Sequence, residues 1–351
     1  MAPAAEPDIA GQLSAVRAWA GSELSRLSVA VVYGGISAED QLYISKSPAE
    51  QLSITALSET LGGLGVRYQV LDPCQPSFIR DAARFDVVLP NLHGPFGEDG
   101  RLQGLLDYMR VPYCGSGVAA SAIAADKILC KRHMEALGVP TPAWRAWSGP
   151  ADAWPGRPVM VKSRMGGSSV GMSLVRHPED LAGAISRAES ADPPGVLIED
   201  HVPGLPVTVG VLELPGGIAV FPPLATEVHT GEFYDADAKL DADSQGTVTC
   251  TRAALPAPVT AAINGYAARL WDGLGCHGMA RVDFIAAEDG TAVTLEVNTT
   301  PGLSRESNFA AGAGLLGLTH ADILAAILRE AITRTRYDAP LPVPDFSGRR
   351  T

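Results

Sequence analysis

The sequence lacks the features that mark secreted, membrane-spanning and nucleic-acid-binding proteins. Its five cysteines are scattered and form no C-x-x-C pair, which favours reduced thiols over a disulfide framework or a zinc site. No apolar run approaches the roughly 18 residues of a membrane span, and the N-terminus carries Glu6 and Asp8 instead of an apolar signal segment. A formal net charge of −12 argues against nucleic-acid and anionic-membrane partners, because both require a basic surface. We therefore expect a cytoplasmic protein with neither kind of partner.

Up to about residue 115 the sequence alternates between strand and helix signals. At 351 residues the chain exceeds what one hydrophobic core usually serves, so two or three domains are expected. Residues 1–27 are predicted to form an extension with one amphipathic helix. Strands are predicted at Ser28–Tyr33, Arg67–Leu71 and Asp86–Leu89, and Ser37 has the position of a helix N-cap. This alternation predicts an open parallel α/β domain.

Beyond residue 115 the pattern changes to antiparallel strands between longer helices. One helix is predicted over residues 119–137, ended by a glycine and a proline. Two antiparallel strands, Val159–Lys162 and Met172–Val175, flank a glycine-rich connection. The remaining predicted elements are strands at Val196–Ile198 and Val207–Leu212 and helices at Pro258–Leu274 and from His320 to about residue 335.

The stretch from Arg281 to Asn298 predicts a β-hairpin with polar side chains on one face. Its Asp289-Gly290 pair is a strong signal for a two-residue turn. With that turn, Asp283 lies opposite Glu296, and Arg281 lies opposite Asn298. Because side chains alternate between the faces of a strand, all four share one face.

Two carboxylates that face each other repel unless a cation lies between them. Carboxylate and amide oxygens at this spacing suit Mg²⁺, so Asp283, Glu296 and Asn298 are predicted metal ligands. The alternative is a solvent-exposed face with a salt bridge from Arg281. That alternative does not account for the asparagine or for the proline-glycine turn that follows it.

A glycine-rich loop, residues 162–171, begins at Lys162. Its glycines would let backbone N–H groups approach phosphate oxygens, and Lys162 supplies a positive charge. Gly167–Gly171 also satisfies G-x-S-x-G, the nucleophile elbow of serine hydrolases, but that motif needs a helix directly after the turn and a strand is predicted here. A flexible loop without chemistry is a third interpretation, which leaves the adjacent lysine and arginine unexplained.

Seven motifs, in order, resemble those of the D-alanine–D-alanine ligase family. They are Gly34–Glu39, His93–Gly100, Gly115–Gly117, Asp126-Lys127, Gly166–Gly171, Phe233–Asp235 with Lys239, and Glu296–Gly302. The resemblance runs from about residue 28 to 335. It implies an α/β fold that is α+β in its ATP-grasp part: an N-terminal open parallel substrate domain (28–115), a central ATP-grasp domain (116–199), a C-terminal catalytic domain (200–335) and a tail (336–351).

The resemblance also implies a reaction in peptidoglycan synthesis. ATP would phosphorylate the carboxylate of one D-alanine, and the amine of a second would attack the acyl phosphate to form the dipeptide. ATP and Mg²⁺ are the implied cofactors, with two metal ions expected and Mn²⁺ as an alternative. The implied partners are small amino-acid substrates and a second copy of the chain in a homodimer.

Site residues follow from the same motifs. The nucleotide-binding residues implied are Lys127 and Lys162 on the phosphates, Glu199 and Val202 on the adenine side, and Lys239 on a closing loop over the γ-phosphate. The catalytic residues implied are Glu39 for the first substrate's ammonium, Ser168 to steady Glu39, and Arg281 with the Gly302 backbone N–H for the oxyanion. The substrate-binding residues implied are His93, Ser307, Asn308 and Leu240. A carboxylate in a helix's first turn, such as Glu39, is also favoured by the helix dipole alone.

The departures from the family pattern concentrate near the substrates. Leu240 stands where a tyrosine is usual, Asn308 where a leucine lines the second amino acid's methyl group, and Pro206 where a glutamate binds the ribose. They suggest a paralogue that joins other amino or hydroxy acids, in antibiotic production or resistance, as an alternative. A catalytically silent ATP-binding protein is disfavoured, because it would not need a complete catalytic set. Residues 229–240 are predicted to form a mobile lid.

Overall fold

The computed structural model describes residues 8–48, 52–149, 154–165, 167, 171–191, 195–228 and 248–335, which form three β-sheets with helices packed against them. The described helices are α1 (Ile9–Glu23), α2 (Ala38–Lys46), α3 (Ser53–Gly63), α4 (Phe78–Ala82), α5 (Arg101–Tyr108), α6 (Val118–Ala125), α7 (Lys127–Ala136), α8 (Leu181–Ala191), α9 (Ala257–Leu274), α10 (Asn308–Gly314) and α11 (His320–Thr333). Within the described part of the chain, none of them is both long and apolar enough to cross a membrane.

The described strands divide among the three sheets. They are β1 (Ser28–Val32), β2 (Arg67–Leu71), β3 (Val87–Pro90), β4 (Trp144–Ala146), β5 (Val159–Ser163), β6 (Ser173–Val175), β7 (Val196–Asp200), β8 (Gly204–Leu214), β9 (Gly217–Val220), β10 (Leu224–Val228), β11 (Val248–Arg252), β12 (Met279–Ala287) and β13 (Ala292–Asn298). The expected order of a parallel α/β part followed by antiparallel sheets is confirmed.

The first sheet is parallel, with the strand order β2-β1-β3. Its central strand β1 is buried on both faces: Val29 and Val31 pack into one hydrophobic cluster, and Ala30 and Val32 into another. Burial on both sides explains the uninterrupted apolar run in the sequence. Because the strands are parallel, β1 and β3 end at the same edge of the sheet, and the loops that follow them meet there.

The second sheet is antiparallel, in the order β4-β7-β5-β6, and α8 covers one of its faces. Its β6 directly follows the glycine-rich loop, so the strand excludes a serine-hydrolase elbow. The single helix predicted over 119–137 is wrong. Asp126 is extended (ψ 102°) and its side chain accepts N–H bonds from Ile128 and Leu129, which ends α6 and begins α7.

The third sheet has the order β11-β10-β8-β12-β13, with β9 paired to β8. One face packs against α6, α7 and α9 through residues such as Ile263 and Leu270. The end of β8, through Leu212 and Leu214, packs into the cluster that also holds α11 and β1. The hairpin predicted from the sequence consists of β12 and β13, and β13 is an edge strand of this sheet.

The N-terminal extension is part of this core. The predicted amphipathic helix is α1, and its Leu13 and Val16 are buried against the cluster that holds α11. Arg17 forms two hydrogen bonds of 2.8 Å to the Asp322 carboxylate at the start of α11. The first described helix, α1, thus packs against the last, α11.

Candidate functional site

The hairpin formed by β12 and β13 has the predicted register at its functional end. Arg281 pairs with Asn298, and Asp283 pairs with Glu296. The intervening Val282 points to the opposite face and is 1% exposed, within the hydrophobic core. The prediction that four polar side chains share one face is therefore confirmed.

The turn that gives this register is different from the predicted one. Nearer the turn Ile285 pairs with Val293, and the Ala287 N–H donates to the Thr291 carbonyl at 2.9 Å, so the loop has three residues and not two. The register shifts between Asp283 and Phe284, where Leu295 is the extra residue of a β-bulge. The extra loop residue and the bulge offset each other, which restores the pairing at the carboxylates.

The carboxylate of Asp283 is held from two strands. Arg281 donates from Nε and Nη2 to its two oxygens, each at 3.0 Å, and the Thr208 hydroxyl of β8 donates to Oδ1 at 2.6 Å. The Arg281 salt bridge of the alternative interpretation therefore exists. Its side chains are only about a fifth exposed, 19% and 21%, so the face is not an open solvent surface.

The donor set of this face fits a magnesium ion. Two facing carboxylates and an amide oxygen are hard oxygen ligands of the kind Mg²⁺ prefers. The Asn298 Oδ1 atom accepts the Thr300 N–H at 2.9 Å, which fixes the orientation of the amide. Hydrogen bonds of this kind to ligand atoms are typical of metal sites. Asp283, Glu296 and Asn298 are thus the residues that would hold the metal.

A buried cluster of two lysines and one glutamate lies in the second sheet and α7. The Lys162 ammonium of β5 contacts Glu199 Oε1 on β7, and the Lys131 ammonium of α7 lies 2.6 Å from Oε2. Burial acts to raise the pKa of Glu199, but Lys162 and Lys131 outweigh it and lower that pKa. The shared carboxylate is therefore ionised.

Lys162 also faces the hairpin. Burial acts to lower its pKa, but the negative charges of Glu199, Glu296 and Asp283 outweigh that effect and raise the pKa. The interaction with Glu296 and Asp283 brings the start of the glycine-rich loop and the predicted metal face into one site. The resemblance to the ligase family implies this juxtaposition.

The other predicted nucleotide residues lie at the start of α7 and in the connection between β7 and β8. Lys127 is the first residue of α7, and its backbone N–H donates to the Arg164 carbonyl at 3.0 Å. The Arg164 guanidinium lies 2.6 Å from the Asp126 carboxylate, and this ion pair connects the start of α7 with the start of the glycine-rich loop. Val202 lies half-buried in the connection between β7 and β8. The adenine-side roles of Glu199 and Val202 stay predictions.

At the edge of the first sheet the loop carrying His93 is bound to the start of α2. Ser37 caps α2 and donates its hydroxyl to the His93 carbonyl at 2.7 Å. Buried Asp40 accepts the His93 N–H at 2.8 Å, and Tyr43 meets the imidazole edge-on at 5.4 Å between centroids. Glu39 lies in α2 between Ser37 and Asp40.

Several predicted residues lie outside the described part of the structure. They are the side chain of Glu39, the residues Ser168, Lys239 and Leu240, and the predicted lid 229–240.

The predicted second-substrate residues stand at the start of α10. Ser307 is its N-cap and accepts the Ala310 N–H at 3.2 Å, which is a structural role in itself. The Asn308 amide oxygen accepts the Cys250 thiol at 2.7 Å. A Cβ atom added at Gly302 would meet no described atom within 4 Å, so there is room beside this backbone.

Sequence reasoning missed Lys131 and Thr208. The sequence does indicate that Lys131 is buried, because it lies three residues from both Ile128 and Met134 and so shares the apolar face of α7. A lysine on an apolar helix face needs a buried anion. Thr208 gave no such signal, since its contact with Asp283 depends on how β8 pairs with β12.

A second group of acidic and histidine side chains joins Glu213, His277 and Glu330 within the described residues. Arg334 donates to both Glu330 oxygens, at 2.7 and 2.6 Å, and the Gly278 N–H donates to Glu213 at 2.9 Å. The Arg334 guanidinium already balances the charge of Glu330. This group is therefore a structural clamp at the end of α11.

Two family models match the chain. The model of the D-ala D-ala ligase N-terminus matches residues 67–116, and that of the D-ala D-ala ligase C-terminus matches residues 145–329, more than half of the chain. The chain belongs to the D-alanine–D-alanine ligase family. The resemblance inferred from the seven motifs is thereby confirmed.

Curated members of the D-alanine–D-alanine ligase family match over nearly their full lengths. The D-alanine–D-alanine ligase of Synechococcus sp. (strain JA-3-3Ab) is 33% identical over 90% of this chain and 97% of its own. The enzyme of that name from Bordetella pertussis is 36% identical over 89% of this chain and 97% of its own.

Solved structures of the family share the fold. The Bacillus anthracis D-alanine–D-alanine ligase complexed with ATP superposes with a TM-score of 0.71 at 25% identity, over 87% of this chain and 97% of its own. A D-alanyl-alanine synthetase A from Vibrio cholerae gives a TM-score of 0.74 over 88% of this chain and 99% of its own. The second, at 22% identity, supports the fold alone.

Proposed function

We propose that the chain is an ATP-dependent ligase that joins two D-alanines through an acyl phosphate. The observation that carries this proposal is the polar face of the β12–β13 hairpin, with Asp283 opposite Glu296 beside the buried Lys162. That arrangement combines oxygen ligands for a metal with a cation for phosphate. The relatives named D-alanine–D-alanine ligase support the substrate.

In the first step the chain's residues bind and orient the triphosphate. Lys162 and Lys127 would neutralise phosphate oxygens as the substrate carboxylate takes the γ-phosphoryl group and ADP departs. Mg²⁺ held by Asp283, Glu296 and Asn298 would neutralise charge on the transferring phosphoryl group. Positioning and charge neutralisation account for most catalysis of phosphoryl transfer.

In the second step the amine of the second D-alanine attacks the acyl-phosphate carbonyl. Negative charge then develops on the carbonyl oxygen, and inorganic phosphate leaves as the peptide bond forms. Arg281 and the Gly302 N–H would donate to that oxygen. Because Asp283 holds the Arg281 guanidinium by two bonds, the donor is oriented before the reaction begins, which is the condition for effective oxyanion stabilisation.

A second candidate function differs in the acceptor substrate. Asn308 places an amide where the family has an apolar side chain, and its oxygen is engaged by Cys250. The amide nitrogen is then the atom that would donate to a hydroxyl or carbonyl group of a substrate. This observation favours a ligase that accepts a polar amino or hydroxy acid in second position.

ADP release by purified protein tests the proposal. Release should require Mg²⁺ or Mn²⁺ together with a carboxylate substrate, and the product should be D-alanyl-D-alanine when D-alanine is supplied. Glu296→Gln should fold normally and lose orders of magnitude in turnover, because metal charge stabilisation is worth several kcal/mol. Glu288→Gln is the matched control, since Glu288 is exposed in the loop of the same hairpin. Near-normal turnover of Glu296→Gln would refute the metal assignment.

The expected homodimer and cytoplasmic location belong to the same proposal. Light scattering of the purified protein should give a mass of two chains, and cell fractionation should place the enzyme with other cytoplasmic proteins. A monomeric mass at micromolar concentration would refute the dimer.

A further inference from the structure

Lys131 is buried to an extent that lysine side chains almost never reach without a partner. It is 1% exposed and lies on the inner face of α7 with Ile128 and Met134. Its ammonium lies 2.6 Å from Glu199 Oε2 and donates to the Thr141 hydroxyl at 2.6 Å. Burying an ammonium carries a large desolvation cost. A neutral residue would avoid that cost, so the charge of Lys131 calls for an explanation.

Pairing Glu199 does not by itself explain Lys131. Lys162 already contacts the other oxygen of Glu199, and that pair alone would be neutral. Burial lowers the pKa of Lys131, against the opposing effect of Glu199; with both lysines protonated, the buried cluster carries one net positive charge. This charge lies beside the acidic hairpin face, where Glu296 and Asp283 act on Lys162.

We propose that Lys131 is a positioning residue for the phosphates of the nucleotide. Lys131 acts through Glu199 and does not contact the substrate. Glu199 contacts both ammonium groups, so the positive charge of Lys131 offsets the negative charge that Glu199 would otherwise direct at Lys162 alone. The Lys162 ammonium then keeps its charge for the phosphates of the nucleotide. This inference rests on the proposed function only in that the site binds a nucleotide.

A chain of two hydrogen bonds fixes the position of the Lys131 ammonium. The Thr141 hydroxyl that accepts from Lys131 donates in turn to the Thr294 carbonyl at 2.9 Å. Thr294 belongs to β13, the strand that carries Glu296. Lys131 is thus fixed relative both to Glu199 and to the predicted metal face.

The test uses nucleotide binding measured by calorimetry. Lys131→Met should weaken ADP and a non-hydrolysable ATP analogue by about tenfold or more, as loss of one partner of a buried charge pair does. Adenosine, which has no phosphate, should be weakened much less than ADP. Lys131→Gln keeps a hydrogen-bond donor without the charge and should behave in the same way, which covers the case in which the methionine variant does not fold.

Two controls separate this role from a structural one. Arg132→Met removes an exposed cation from the next position of α7 and should leave ADP binding unchanged. In a Glu199→Gln background, Lys131→Met should have little further effect on ADP, because Glu199 then has no charge for Lys131 to offset. In steady-state assays Lys131→Gln should raise the KM for ATP and leave the KM for D-alanine unchanged.

Other outcomes would overturn the inference. Equal weakening of adenosine and ADP, or an undiminished effect of Lys131→Met in the Glu199→Gln background, would assign Lys131 a structural role only. Wild-type protein that binds no ADP would refute the inference and the proposed function together. Wild-type protein that binds ADP but releases none with D-alanine would refute the proposed substrate alone, and the binding comparison would still decide the role of Lys131.

Discussion

At the scale of single residues, two polar side chains of the site, Asp283 and Asn308, have hydrogen-bond partners within the protein before any substrate arrives. Asp283 accepts from Arg281 and Thr208, and Asn308 accepts from Cys250. A buried polar group without a partner costs about 1–3 kcal/mol, so these bonds stabilise the two side chains in the positions they occupy. These partners also determine which atoms stay directed at a ligand.

Asn308 gives the first prediction, on acceptor selectivity. With its oxygen bonded to Cys250, its amide nitrogen should favour an acceptor that carries a hydroxyl or carbonyl group over D-alanine. One such hydrogen bond contributes roughly 1 kcal/mol net, or several-fold in kcat/KM. The measurement is kcat/KM for D-alanine, D-serine, D-asparagine and D-lactate as second substrate, in wild type and Asn308→Leu. A strong wild-type preference for D-alanine that the substitution leaves unchanged would eliminate the second candidate function.

His320 gives a prediction for pH dependence. Its Nε2 contacts the Leu303 carbonyl at 2.9 Å, so Nε2 carries the proton, and Nδ1 accepts the Thr60 hydroxyl at 2.7 Å. Burial lowers the pKa of His320 below its usual value, outweighing the opposing bond to Leu303. Since the unfolded chain then binds the proton more readily, the stability that neutral His320 contributes is complete above about pH 6.5 and is lost as pH falls towards the folded pKa.

Thermal melts between pH 7.5 and 5.5 check this sign. The melting temperature of the wild type should fall across that range, and His320→Gln should show a smaller fall from a lower starting value. His177→Gln, at an exposed position, should follow the wild-type curve. Parallel curves for wild type and His320→Gln would rule out His320 as the titrating group.

At the scale of elements, the sequence predicted the types of the elements better than their boundaries. The predicted β12–β13 register at the carboxylates is correct, but the predicted turn is wrong. The pattern Asp289-Gly290 predicts a two-residue loop, and the loop has three residues. In the structure Gly290 (φ 82°) is the last of three loop residues, and the Asp289 side chain accepts the Thr291 N–H at 2.9 Å. The alternation of apolar and polar residues does not reveal a β-bulge. The bulge at Leu295, which offsets the extra loop residue, was therefore not predictable from the sequence.

The break between α6 and α7 was missed for a different reason. The apolar pattern continues across Asp126, and an aspartate inside such a pattern can stay helical. Its Oδ2 also binds Arg164, which is distant in sequence, so the cap is stabilised by a contact that local pattern does not contain. Where only local signals act, as at the Ser37 cap, the prediction was correct.

Asp126 gives a prediction with a matched pair of variants. Asp126→Asn keeps a side chain able to cap α7 but loses the ion pair with Arg164, whereas Asp126→Ala loses both. The alanine variant should be less stable than the asparagine variant by about 1 kcal/mol, the usual value of an N-cap. Urea unfolding of the two variants measures the difference. Equal free energies of unfolding would mean that Asp126 contributes through Arg164 only.

At the scale of the whole molecule, the order of the three sheets was predictable, and their connection was not. Each sheet follows from its own run of strands, which is local information. The packing of α1 against α11 joins residues about 300 positions apart, as the Arg17–Asp322 bond illustrates. The domain boundaries inferred from the sequence stay predictions, because one hydrophobic cluster includes residues of the extension, the first sheet and α11.

This packing gives the last prediction, on global stability. Val16 is fully buried between α1 and the core, whereas the Arg17 side chain is 55% exposed. Val16→Ala should lower the free energy of unfolding by about 1–2 kcal/mol, from lost apolar burial and the cavity it leaves. Arg17→Met should cost less, because ion pairs with an exposed partner are screened by water. Both variants should keep wild-type kcat at 25 °C, since α1 supplies none of the proposed site residues. Urea unfolding and ADP release on the same preparations measure the two quantities. If Val16→Ala were as stable as wild type, or if Arg17→Met were the more damaging change, the extension would be held by its charge and not by its apolar face.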